Sequence, residues 1–134
     1  MPAILLDDLH FSYPPIVQGG QPAAVLQGVT LAVPAGQAVA IMGPTSSGKT
    51  TLALILAGLA PEMTGGQLAG RAWVDGLDAI RTPAAVLSRR LGLVFQEPER
   101  QLFNMTVADE VAFGLEGLAL PPAEIAARVG WALA

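Results

Sequence analysis

The chain has 134 residues, 52% of them hydrophobic and 13% charged, with a net charge of -4, a mean hydropathy of +0.52 and no cysteine. This composition excludes intrinsic disorder, disulfides and thiolate metal sites, and an acidic balance argues against nucleic acid as a main partner. The longest apolar stretch, Leu52 to Ala60, is broken by Gly58 and stopped by Pro61, short of the roughly 20 residues a membrane span needs, and the N-terminus lacks the basic flank of a secretory signal.

Ile4 to Asp8 is an apolar run closed by acids and reads as a first, peripheral strand. Leu9, Phe11 and Tyr13 alternate with His10 and Ser12, the pattern of a half-buried strand, with His10 facing solvent or a polar neighbour. Val25 to Val33 reads similarly, and Pro34-Ala35-Gly36 is a tight turn. Gln37 to Met42, QAVAIM, is predicted to be a fully buried strand. A Gly- and Ser-rich loop follows, then a helix from Lys49 to Leu59 and a loop from Pro61 to Gly70, with Gly65-Gly66 as a turn. Arg71 to Asp75 is a strand ending at Gly76, and Asp75 and Asp78 are turn residues rather than ligands. Pro83 to Arg90 forms a short helix, and Leu91 to Phe95 a second buried strand. Thr106 with Asp109 opens a helix through about Leu118, and Pro121-Pro122 breaks it. A last helix starts around Glu124, with Ile125, Val129 and Leu133 on one face. Trp73 and Trp131 are expected to pack.

Gly43-Pro44-Thr45-Ser46-Ser47-Gly48-Lys49-Thr50 matches G-x-x-x-x-G-K-[ST] at every fixed position. It lies between a strand candidate and a helix candidate, the setting of a phosphate-binding loop. The terminal glycines let the backbone curl and turn its N–H groups inward. The helix start adds its positive end. Lys49 brings a mobile charge to the β- and γ-phosphates, the Thr50 hydroxyl can ligate Mg2+, and Thr51 can donate to the α-phosphate. A cation has no structural merit at a helix N-terminus, so an ordinary Gly/Ser turn does not account for Lys49. The loop alone specifies a nucleoside triphosphate, not which enzyme uses it.

With these motifs in view, the chain resembles the ATP-binding subunit of an ABC transporter. GPTSSGKTTL resembles the family's phosphate loop. Tyr13, in HFSYP, stands where the family keeps an aromatic that stacks on adenine; read by itself it is an aromatic packing at a strand end. Val74 to Asp78 resembles the family's small hairpin. Leu91 to Phe103, LGLVFQEPERQLF, resembles the strand and Q-loop, with Gln96 as the Q-loop glutamine. Gln96-Glu97-Pro98-Glu99-Arg100-Gln101-Leu102-Phe103 and Thr106 to Gly114 are similar to energy-coupling-factor importers of cobalt, nickel or vitamins, with Glu97 where an Asn is more usual.

The resemblance implies an α/β fold: a P-loop NTPase core of ABC ATPase type with an antiparallel β-subdomain and the start of a helical subdomain, truncated. It divides the chain into 1–95 (core and β-subdomain), 96–103 (Q-loop) and 104–134 (start of the helical subdomain), the front half of one nucleotide-binding domain. It implies ATP and Mg2+ as ligands. Lys49 and Gln96 are implied as catalytic, and Thr50 and Gln96 as metal contacts. It further implies a transmembrane coupling subunit docking near Gln96–Phe103, with Leu102 and Phe103 as contacts, a second ATPase subunit, and a peripheral place on the cytoplasmic face of the membrane. Met63 to Gln67 mimics the family's signature and Ile4 to Asp8 its acidic strand, but both come in the wrong order. Beyond Phe113 these residues hold no signature, no such aspartate–glutamate pair and no switch histidine, so the chain is expected to bind ATP without hydrolysing it. The competing classes are a soluble P-loop enzyme and a non-catalytic interaction module. A GTPase would carry N-K-x-D and a kinase basic lid residues; the first is absent and only Arg128 lies beyond Arg100.

Overall fold

A computed structural model describes residues 2–134. The chain forms two compact units, one ending at Leu93 and the other Val94–Ala134.

The first unit is built on an antiparallel sheet in the order β2-β1-β3-β4, with β1 Pro2–Tyr13, β2 Ala23–Pro34, β3 Gln67–Val74 and β4 Leu77–Asp78. The two segments either side of Asp8 are one strand, not two, and that strand is interior rather than peripheral. The reason is a bulge. Asp8 takes φ 48, and the pairing of β1 shifts between Leu6 and Leu9 against β2 and between Asp7 and His10 against β3. Strict alternation would send Leu6 and Leu9 to opposite faces. The extra residue turns both inward, so Leu6, Leu9 and Phe11 are all essentially inaccessible to solvent.

Helix α1, Lys49–Leu56, adds Leu52, Ile55 and Leu56 to the same core, and α2, Ala84–Leu87, adds Leu87. Each fully buried Leu or Ile contributes about 1.5–3 kcal/mol of transfer free energy. Strand β3 begins at Gln67, four residues earlier than its apolar part suggests, because Ser12 and Phe11 pair with Gln67 and Leu68. Gly65 and Gly66 make the turn before it, at φ 64 and 112. The β3–β4 hairpin turns at Asp75-Gly76, both at positive φ, and the Asp78 carboxylate accepts from the amides of Ile80 and Arg81.

Two predicted strands do not form. Gln37 to Met42 is neither a strand nor buried, with Ile41 50% and Met42 89% exposed. Leu91 to Phe95 is not a strand either, and Val94 and Phe95 are exposed. An apolar run becomes a strand only when a neighbour takes up its N–H and C=O groups, and the four strands of the sheet pair with one another instead.

The second unit holds a 3-10 turn, Pro98–Gln101, then helices α3, Val107–Glu116, and α4, Pro122–Ala132, which pack on each other. Thr106 caps α3 by accepting from the Asp109 amide at 3.1 Å. Trp131 is 84% exposed rather than packed. Among the described residues no helix is long and apolar enough to cross a membrane.

Candidate functional site

The loop 43–47 enters α1 through Gly48, the residue before its first turn, at φ 93. A Cβ there would stand 2.8 Å from Leu26 Cδ2 and 3.2 Å from the Val25 carbonyl. Glycine is therefore required twice, for the left-handed backbone and for the close approach to β2. Ser46 also takes positive φ, at 65.

The start of α1 is electrostatically open. Gly48 supplies no side-chain cap, and no acidic residue lies in the first turn. The first N–H groups of a helix have no intrahelical partner, and here no side chain among the described residues caps them. Helix α3 is the internal contrast: it has a threonine cap and Asp109 and Glu110 in its first turn. An open helix start with a lysine beside it is a site for an external anion.

Lys49 Nζ donates to the carbonyl oxygens of Gly43 (2.9 Å) and Pro44 (2.7 Å) and to Ser47 Oγ (3.2 Å). The ammonium is thus folded back over the loop, not extended into solvent. A cavity of about 310 Å³ is lined by Tyr13, Val25 and the run Ser46 to Thr51. Its lining combines Ser46, Ser47, Thr50, Thr51 and Lys49 with the aromatic Tyr13 and the apolar Val25. Tyr13 reaches it from the end of β1, where the Phe11 ring meets it edge-on at 4.9 Å, and its hydroxyl lies 3.1 Å from Thr51 Oγ1.

The structure therefore brings together Tyr13, Ser46, Ser47, Gly48, Lys49, Thr50 and Thr51. Gly43 and Pro44 join through their carbonyls on Lys49, and Thr45 lies in the exposed turn between. Gln96 belongs to the second unit and is exposed, one residue before the Glu97–Arg100 ion pair. Val25 was not foreseen. Its role follows from the hairpin register, which sets Ser12 against Ala24 and Tyr13 against Ala23, and single-strand periodicity does not carry that register. His10 is exposed and hydrogen-bonded to Asp8 at 2.9 Å, away from the cavity lining.

Glu110 is the other residue the sequence left unnoticed. Its Oε2 accepts from the amides of Phe103 (3.2 Å) and Asn104 (2.9 Å) and from Asn104 Nδ2 (3.0 Å). The Asn104 amide is the main cause holding this carboxyl below its ordinary range, with desolvation opposing and the Asn104 side chain and Phe103 amide assisting. Because the folded value is depressed, the clamp is complete above the ordinary value of 4.5 and is lost as pH falls below it through the folded value. Amide exchange, corrected for intrinsic rates, is expected to lose protection at Phe103 and Asn104 over that acid window, and Glu110→Ala to lose it several-fold already at neutral pH.

Known proteins resemble this chain over nearly its whole length. A family model described as ABC transporter matches residues 26–134. An ABC transporter ATP-binding protein of Pyrococcus abyssi is 44% identical over 133 residues, covering 99% of this chain and 46% of that protein. One of Pyrococcus horikoshii is 41% identical, covering 99% and 45%. The solved structure of cbiO1 from Clostridium perfringens, described as part of the ABC transporter complex cbiONQ, matches with a TM-score of 0.75 at 28% identity, covering 98% of this chain and 49% of that one. The chain thus spans about half the length of the relatives it matches. On these matches and this α/β architecture, the chain belongs to the ABC transporter family.

Proposed function

We propose that the chain is the nucleotide-binding part of an ABC transporter ATPase of the energy-coupling-factor type, serving import of cobalt, nickel or a vitamin through a transmembrane coupling subunit. The observation that carries the nucleotide half of this reading is the uncapped, acid-free start of α1 with Lys49 folded over its loop, facing a cavity walled by Tyr13 and Val25. The uncapped N–H groups of the helix start and the ammonium suit a triphosphate, and the Tyr13 ring in the same cavity lining suits a purine.

In this reading Gly43 to Thr51 hold the phosphates, Lys49 bridges the β- and γ-phosphates, and Tyr13 offers its face to adenine. Mg2+ is a hard cation that prefers oxygen ligands and keeps several waters; the exposed Thr50 hydroxyl on the first turn of α1 fits that chemistry. When bound, Mg2+ neutralises charge on the phosphates.

The import half is supported by the likeness to cbiO1, described as part of a transporter complex, and by exposed apolar residues in the second unit. Leu102 and Phe103 are 64% and 63% exposed, and Phe103 stacks edge-on against Phe113 at 4.7 Å. These are chemically suited to an apolar helix of a membrane partner on the cytoplasmic face. A second ATPase subunit completes the proposed assembly.

Beyond Phe113 these 134 residues hold no signature, no neighbouring aspartate–glutamate pair and no histidine, so binding without turnover is proposed for the chain itself. Phosphate release from saturating Mg-ATP tests this. Binding with no sustained release is expected; steady release that disappears in Lys49→Ala would overturn it.

A further inference from the structure

We infer that the hydrogen bond between Tyr13 and Thr51 is a positioning link that couples recognition of the nucleobase to recognition of the phosphates. The inference rests on the nucleotide reading above. Thr51 is the one buried polar side chain among the described residues, at 6% exposure, and its Oγ1 lies 3.1 Å from the Tyr13 hydroxyl. The two residues stand 38 positions apart in the chain, on β1 and α1, and both line the cavity.

A hydroxyl has one proton to give and two lone pairs to offer. Without an anion, either partner can donate. Once Thr51 gives its proton to a phosphate oxygen, it can only accept from Tyr13. The direction of the bond is then set, Tyr13 to Thr51 to phosphate, and a chain of this kind is polarised along its length. The Tyr13 ring is thereby held at two points, at its tip by Thr51 and along its body by the edge of Phe11 at 4.9 Å. Phe11 itself has little room to move, because Gly66 approaches so closely that a Cβ there would stand 2.8 Å from Phe11 Cζ. Thr51 is in this sense a positioning residue for the aromatic platform, besides any contact it makes to phosphate.

Calorimetric titration of the full 134-residue chain with Mg-ATP and with Mg-tripolyphosphate, which lacks a base, tests the link. Tyr13→Phe keeps the ring and removes only the hydroxyl. It is expected to weaken ATP by roughly five- to tenfold, the worth of one hydrogen bond, while leaving tripolyphosphate nearly unchanged. Thr51→Val is expected to weaken both ligands. In the Thr51→Val background Tyr13→Phe should have no further effect on ATP, and Thr51→Ser should restore sensitivity to it. Far-UV circular dichroism and melting curves of each variant confirm that the fold is retained. Unchanged ATP affinity in Tyr13→Phe, or an equal loss with and without the Thr51 hydroxyl, overturns the link and leaves the nucleotide reading standing. A wild-type chain that binds neither ligand overturns both.

Discussion

Lys49→Ala is expected to reduce Mg-ATP affinity on the order of a hundredfold while leaving the fold intact. Among the described residues the ammonium is the only cation in the cavity lining. Hydrogen bonds to charged groups contribute about 1.5–3 kcal/mol each, and about 3 kcal/mol corresponds to roughly that factor in affinity. Stability should hold or rise slightly. The carbonyls of Gly43 and Pro44 that Lys49 satisfies lie in an exposed loop where water can replace it. Alanine is also the better helix former and removes an unfavourable cation from a helix start. Lys49→Arg should fail as well, because a planar fork does not fit where a compact ammonium sits between two carbonyls and a hydroxyl. Parallel binding and melting curves distinguish this from a structural defect: loss of binding with an unshifted melt is expected, and a large drop in melting temperature would assign Lys49 a structural role instead.

The largest expected effect on stability is that of Gly70→Ala. Gly70 sits at φ 91 on β3, opposite the bulge of β1. A Cβ there would stand 2.1 Å from the Asp8 carbonyl oxygen and 2.8 Å from Leu9 Cα. These are backbone atoms of the interior strand, so no side-chain rotation relieves the clash. Either the bulge is expelled or β1 and β3 separate. Expelling the bulge flips every residue on one side of it to the other face, which would take either Leu6 or both Leu9 and Phe11 out of the core. A cost of about 4 kcal/mol or more is expected, whereas at exposed Gly114 in the last turn of α3 alanine should stabilise by up to about 1 kcal/mol. Because the same bulge sets the phase of Phe11 and Tyr13, any folded Gly70→Ala should also bind ATP poorly. Chemical denaturation measures the first effect; a midpoint unchanged from wild type would contradict the bulge argument.

The loop before α1 was legible as a candidate site because its residue identities carry the chemistry directly: glycines where the backbone turns, a lysine where no helix wants one. The capped start of α3 was legible for the same reason, since Thr106 and Asp109 act within one turn of chain. The β3–β4 hairpin could be read from Asp75-Gly76. Periodicity misled where a partner decides the outcome. QAVAIM has the composition of a buried strand, but Val39, Ile41 and Met42 are exposed because none of the four strands pairs with that run. The two acids Asp7 and Asp8 broke the apolar pattern of β1 and made one strand look like two; the bulge at Asp8 accommodates them, with Asp7 paired to Arg71 and Asp8 to His10. Val25 and Glu110 were silent because both act across the fold or the loop rather than within a motif. Tyr13 was the intermediate case. Its residue type permitted a platform or a packing role, and the contact with Thr51 places it in the cavity.

The central claim is that these 134 residues bind a nucleoside triphosphate at the loop preceding α1. Amide chemical shifts followed during titration of the chain with Mg-ATP test it most directly. Saturable changes concentrated at Ser46 to Thr51 and at Tyr13, and absent in Lys49→Ala, are the expected result. No saturable change at those residues, or the same changes in Lys49→Ala, would contradict it.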